Sequence, residues 1–126
     1  MTKFKIKQDP TFDLDVLIPR VGGDPIVVPF TFAYKDRDEL AKMLDRWADA
    51  EKEMRANPDE DQRISDATSV EIEISVLKLK DIVVGWQFDE ELSDESLRDL
   101  VKTAVTVPAS ITKAYFEAFN QARLGN

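Results

Sequence analysis

Carboxylates are the residues of this sequence that could do chemistry, and they are densest just after Trp86. The stretch "FDEELSDE", which contains Asp89, could supply paired acids for general acid–base catalysis. Arg98 is the only basic residue from Val83 to Asp99, and the chain has no histidine to act as a base. We therefore expect a charged surface and a protein that is not an enzyme. Catalysis by these acids remains the alternative, tested by replacing them with amides.

Two other motifs could bind a ligand, and neither has the required spacing. Asp59 and Asp61 alternate as calcium ligands do. An EF-hand loop starting at Asp59 would need glycine at its sixth position and glutamate at its twelfth, but these positions hold Ile64 and Val70. The turn "RVGGDP" lacks the Lys-Ser/Thr pair of a phosphate-binding loop. With no cysteine for a thiolate site either, we expect no metal and no cofactor.

Composition favours a protein partner. The chain has 126 residues and a net charge of −8, which repels phosphate backbones and argues against nucleic acid. No apolar run approaches the roughly 20 residues that cross a bilayer, so we expect no membrane partner. The length suits a single domain, 1–126, with a β-rich part over 1–35 and a helical part over 36–126.

The first third alternates between apolar and polar residues, as strands with one buried face do. Phe4 and Ile6 alternate with three lysines, and a second alternating run extends from Phe12 to Ile18. Gly22 and Gly23 predict a reversal, after which a third run extends over 26–34. Pro29 within that run favours an edge or a strand margin, because proline has no amide proton.

The remainder predicts helices. Asp36 and Glu39 form a capping box before a stripe that includes Leu44, Trp47 and Ala48, and Pro58 ends that helix. The apolar residues over 68–79 fit both the alternation of a strand and the repeat of a helix, and the length of the segment favours a helix. Two further helices are expected, one capped by Ser93 and one with Pro108 in its first turn and Gly125 at its end. The fold class is therefore α+β: a small N-terminal antiparallel β-sheet or hairpin followed by about four α-helices.

The two tryptophans have different expected positions. Trp47 lies on a helical stripe and is predicted to be in the core. Trp86 follows Gly85 in an expected connection, where the indole could either close the core or contact a partner. Both interpretations stay open at this point.

Three blocks of the sequence stand out: "VPFTFAYKDRDELAKML", "IVVGWQFDEELSDESL" and the closing "ARLGN", which together cover about Val28 to Asn126. In these blocks the chain resembles the tail assembly chaperones of long-tailed bacteriophages and prophages. The resemblance implies a non-enzymatic protein that binds the tape-measure protein in the host bacterial cytoplasm and keeps it soluble during tail-tube assembly. It also implies that the chaperone is not retained in the mature virion.

The resemblance leaves the contact surface and the other partners open. The tail-tube protein and a second copy of the chain are further candidate partners, and a minor structural component of the tail is the alternative function. Apolar residues near the matching blocks are the expected contact residues: Trp86, Phe88, Leu92, Phe116 and Phe119.

Overall fold

A computed structural model describes residues 2–56 and 61–120, and it confirms the α+β class. In chain order the elements are β1 (Thr11–Ile18), β2 (Ile26–Ala33), α1 (Arg37–Met54), α2 (Ile64–Ile82), β3 (Val83–Trp86), α3 (Asp94–Lys102) and α4 (Thr106–Asn120). The three strands form one antiparallel sheet in the order β1-β2-β3. The ambiguous segment 68–79 is helical, as its length predicts, and its helix begins earlier, at Ile64.

The β1–β2 hairpin reverses where the glycines predict. Gly22 has a φ of 77°, a left-handed conformation that glycine adopts without steric penalty. Pro29 is not in an edge strand, since β2 is the centre of the sheet. Its carbonyl accepts a hydrogen bond from the backbone of Gln87, just past the end of β3. The backbone groups of Pro29 therefore face β3, at the end of the β2–β3 pairing. The missing N–H costs no hydrogen bond between β2 and β1.

The helices begin at the residues whose side chains can cap them. Asp36 accepts a hydrogen bond from the backbone of Glu39, whose carboxylate in turn accepts one from the backbone N–H of Asp36, so the predicted capping box is present. Ser93 caps α3 in the same reciprocal manner with Ser96. Pro108 lies in the first turn of α4, where a missing amide proton breaks no helical bond.

One face of the sheet carries the core. Phe30 and Phe32 of the central strand are almost fully buried, and they meet α2 and α4 through Leu79 and Tyr115. Trp47 of α1 is buried as predicted, and its indole N–H donates a 2.6 Å hydrogen bond to Asp81 of α2. This bond joins α1 to α2 and satisfies a polar group that burial would otherwise leave unpaired.

Some expectations were wrong. No strand forms over residues 2–10, and Phe4 and Ile6 are 91% and 100% exposed. Leu44 and Ala48 are exposed on α1, whereas Met43 and Trp47 of the predicted stripe are buried against the rest of the fold.

The segment from Val83 to Trp86 was expected to be a connection and is instead the strand β3. A break in the β2–β3 register between Thr31 and Phe32 lets this short strand add to the sheet. The expectations for Pro58, Asp59 and Gly125 fall outside the described residues.

Candidate functional site

The acidic stretch after Trp86 is the start of a helix. Asp94 and Glu95 occupy the first turn of α3, where the helix dipole favours anions, and Asp94 also forms an ion pair of 2.9 Å with Lys80. Asp94 and Glu95 of this stretch therefore have structural roles at the start of α3. Among residues 2–56 and 61–120, no group of three or more His, Cys, Asp or Glu side chains is placed to hold a metal ion.

Trp86 is half-buried and firmly held. Its indole N–H donates a 2.8 Å hydrogen bond to the carbonyl of Glu90, and its ring lies edge-on to Phe88 with ring centroids 5.0 Å apart. Both rings also contact the buried Phe30. Trp86 therefore covers the core and leaves one side of its ring accessible.

That accessible side lies in an open cleft of about 210 Å³, which we call the Trp86 cleft. Its apolar floor includes Trp86, Phe88 and Leu100, and its rim carries both charge signs. The residues lining it are Ile18, Pro19, Arg20, Trp86, Phe88, Glu90, Ser96, Asp99, Leu100 and Thr103. A single apolar side chain of a partner fits a cleft of this size better than a whole helix does.

The structure does not bring the five predicted contact residues into one surface. Leu92 is half-buried and packs against the core. Phe116 packs edge-on against Trp47, and Phe119 stacks on Tyr34. Buried rings separate Phe116 and Phe119 from Trp86, since the chain of ring contacts runs from Phe30 through Phe32 and Tyr115 to these two residues.

A larger apolar surface was missed by the sequence analysis. It is a groove of about 500 Å³ between the first half of α2 and the junction of α3 with α4, which we call the helical groove. Its lining residues are Ile64, Ala67, Thr68, Glu71, Ile72, Ser75, Val101, Lys102, Val105 and Pro108. The lining face of α2 extends over about 16 Å, or three helical turns.

Two aliphatic side chains at the helical groove are almost wholly exposed. Ile64 is 87% exposed at the start of α2, and Val105 is 94% exposed just before α4. Neither contributes to the core of the domain. Adjacent exposed apolar residues around a concave surface are typical of sites that a partner covers.

Glu71 is the acidic side chain among the lining residues of the helical groove, and it is paired with a base. The guanidinium of Arg55 donates two hydrogen bonds, of 2.8 and 2.7 Å, to the carboxylate of Glu71. These bonds lower the pKa of Glu71 below its usual range, so this carboxylate stays ionised and paired near neutral pH. An apolar partner surface could therefore approach without burying an unpaired acid at this position.

A weak signal for the helical groove exists in the sequence. Ile64, Thr68, Ile72 and Ser75 recur at helical spacing and extend the pattern upstream of residue 68, and Val105 is an aliphatic residue just before the last helix. The groove itself could not be found this way, because it lies between α2 and the α3–α4 junction, which are distant from each other in the chain. No helix among the described residues is long and apolar enough to cross a membrane.

A family model described as "Phage tail assembly chaperone" matches residues 1–126, the whole chain. The chain belongs to the phage tail assembly chaperone family. Comparisons with curated proteins and with solved structures each gave no match.

Membership of a tail assembly chaperone family indicates which partners to expect. The family implies that this chaperone binds phage tail proteins, and it suggests a non-enzymatic role. The apolar surfaces of the tail assembly chaperone, the Trp86 cleft and the helical groove, are therefore candidate contact sites.

Proposed function

We propose that this tail assembly chaperone binds the tape-measure protein and keeps it soluble while the tail tube assembles. The observation that carries the proposal is the pair of exposed aliphatic side chains, Ile64 and Val105, beside the helical groove in a chain of this family. A chaperone for a long helical client needs an apolar surface of its own that folding leaves uncovered.

The helical groove suits the apolar face of one client helix. Its three-turn length can accept client side chains at positions i, i+3 or i+4, and i+7. Ile64 and Val105 would each lose most of their water-accessible surface on binding, and full burial of an aliphatic side chain contributes about 1.5–3 kcal/mol. The net charge of −8 keeps the complex dispersed and favours client segments rich in lysine or arginine.

The Trp86 cleft is the second contact in this proposal. Trp86, Phe88 and the neighbouring Leu92 would bind one apolar client side chain, whereas Phe116 and Phe119 would act mainly through the packing of α4. Binding takes place in the host bacterial cytoplasm, and the chaperone leaves before the virion matures. The tail-tube protein is a further client of the same apolar surfaces.

Co-expression tests the proposal. The tape-measure protein of the same phage is expressed with and without this chain, and its soluble fraction is compared. We expect a clear rise in solubility with the wild-type chain and a much smaller rise with Ile64→Asp/Val105→Asp. A tape-measure protein that is equally insoluble with and without the chain would refute the proposal.

The alternative is a minor structural component of the tail. Quantitative mass spectrometry of purified virions distinguishes the two functions. The chaperone proposal predicts that the chain is absent from the particle, and stoichiometric recovery would favour the component instead.

A further inference from the structure

The N-terminal arm, residues 2–7, has an exposed apolar side that folding does not use. Phe4 and Ile6 are 91% and 100% exposed, and no helix or strand forms over residues 2–10. In an extended chain these two side chains point to one side, and Lys3, Lys5 and Lys7 point to the other. The arm therefore has the pattern of a strand with one apolar and one basic face.

The sheet offers this arm an open edge. β1 is an outer strand, and the carbonyl of Pro10, the residue just before β1, accepts a 2.8 Å hydrogen bond from the backbone of Tyr34. The backbone N–H and C=O groups of alternate residues face opposite edges of an antiparallel strand. In β1 these groups point away from β2 at Thr11, Asp13, Asp15 and Leu17. An edge of this kind is a template for another strand.

Charge determines which strand fits this edge. The solvent face of β1 carries the exposed residues Asp13 and Asp15, and Asp13 also accepts a hydrogen bond from the Thr31 hydroxyl. Pairing of two β1 edges would bring aspartates near one another, and like charges opposite each other are destabilising in a sheet. A strand with lysines on its solvent face complements this edge.

We propose that the arm of one copy adds to the open edge of β1 in a second copy, forming a symmetric dimer. In the antiparallel register that fits best, Lys5 lies opposite Asp15 and Lys7 lies opposite Asp13. On the other face Phe4 lies opposite Val16, and Ile6 lies opposite Leu14. The twofold axis passes near Pro10, so each copy gives an arm and receives one.

This pairing requires a second copy. For the arm to pair with its own β1 in this register, the chain would have to reverse within residues 8–12, and Thr11 and Phe12 are already paired with β2. On the inner face the partner's Ile6 would lie beside Leu14, which is half-buried and so has an accessible side. A neighbouring cleft of about 370 Å³, lined by Phe12, Tyr34 and Phe119 among others, leaves room on that face.

Sedimentation equilibrium of the full chain, without an N-terminal tag, tests the dimer. We expect a mass of twice 14.3 kDa for the wild type. Phe4→Ser/Ile6→Ser should raise the dimer dissociation constant at least about tenfold. At concentrations where both chains are monomeric it should leave the urea midpoint unchanged, because both side chains are exposed in the single chain. The matched control is Val21→Ser/Val27→Ser, which removes two exposed aliphatic side chains outside the arm and should leave the dimer intact.

Charge exchange tests the register. Lys5→Glu should weaken the dimer, and adding Asp15→Lys should restore it. A wild-type chain that stays monomeric at all concentrations tested would overturn the proposal, as would a dimer that the Phe4 and Ile6 substitutions leave unchanged. Failure of Asp15→Lys to restore the Lys5→Glu variant would overturn the register.

Discussion

The hydroxyl of Tyr115 donates a 2.8 Å hydrogen bond to the backbone carbonyl of Ala33, 82 positions earlier in the chain. Tyr115 lies on α4 and is fully buried, and Ala33 is the last residue of the central strand. This bond fixes α4 against the end of the sheet, which in turn positions the α3–α4 junction that carries Val105.

Tyr115→Phe should lower the free energy of unfolding by about 1–2 kcal/mol, since it leaves the Ala33 carbonyl without this donor while preserving the ring contacts. Urea unfolding followed by circular dichroism measures the change. Tyr34→Phe is the matched control, because the structure gives the Tyr34 ring a stacking contact with Phe119 and no hydroxyl hydrogen bond within the described part of the chain. Equal effects of the two substitutions would contradict this role for the Tyr115 hydroxyl.

Alkaline pH should reduce the advantage of Tyr115 over phenylalanine. Burial raises the pKa of Tyr115 to about 12, whereas a tyrosine in an unfolded chain ionises near pH 10. Above about pH 10 the unfolded chain loses this proton before the folded chain does, so stability falls as the pH rises. The difference in urea midpoint between wild type and Tyr115→Phe should shrink between about pH 8 and pH 11. A constant difference would show that burial does not perturb this hydroxyl.

Asp81 should matter chiefly as an acceptor for Trp47. Asp81→Ala leaves the buried indole N–H without a partner and should cost about 1–3 kcal/mol. Asp81→Asn keeps an acceptor oxygen and should cost less than half as much. Urea unfolding followed by tryptophan fluorescence compares the two variants. Equal costs would mean that the carboxylate charge, which also lies 3.7 Å from Arg46, is what matters.

The hairpin turn should tolerate substitution at only one of its two glycines. Gly22→Ala places a Cβ on a residue with a φ of 77°, which should cost about 1–2 kcal/mol although no atom lies within 4 Å of the new carbon. Gly23→Ala, where the surrounding space is also open, is the matched control and should be close to neutral. Thermal unfolding measures the stability of both variants. Similar destabilisation by the two substitutions would show that the positive φ of Gly22 is not the cause.

Local signals predicted the parts of the fold that depend on neighbouring residues. The Asp36–Glu39 capping box, the Ser93 cap and the place of Pro108 in α4 each involve residues within one helical turn, so the sequence contains the whole interaction. The α+β class followed from these signals and from the alternation in β1 and β2.

Features that depend on distant residues were not predictable in this way. β3 has four residues, and it becomes a strand because it pairs with β2, which is distant in the chain. The helical groove likewise needs α2 and the α3–α4 junction to be in place. The predicted contact residues were selected because they lie near the blocks that carry the resemblance, and Phe116 and Phe119 pack against Trp47 and Tyr34 within the domain.

The most direct test of tape-measure binding is the affinity of the purified chain for the tape-measure protein of the same phage, measured by isothermal titration calorimetry. Loss of two buried aliphatic contacts predicts that Ile64→Asp/Val105→Asp weakens binding at least about 30-fold. Val21→Asp/Val27→Asp, which adds the same two charges at valines that are 85% and 60% exposed and lie outside the helical groove, should change the affinity less than about twofold. A groove variant that binds as tightly as the wild type would contradict the account.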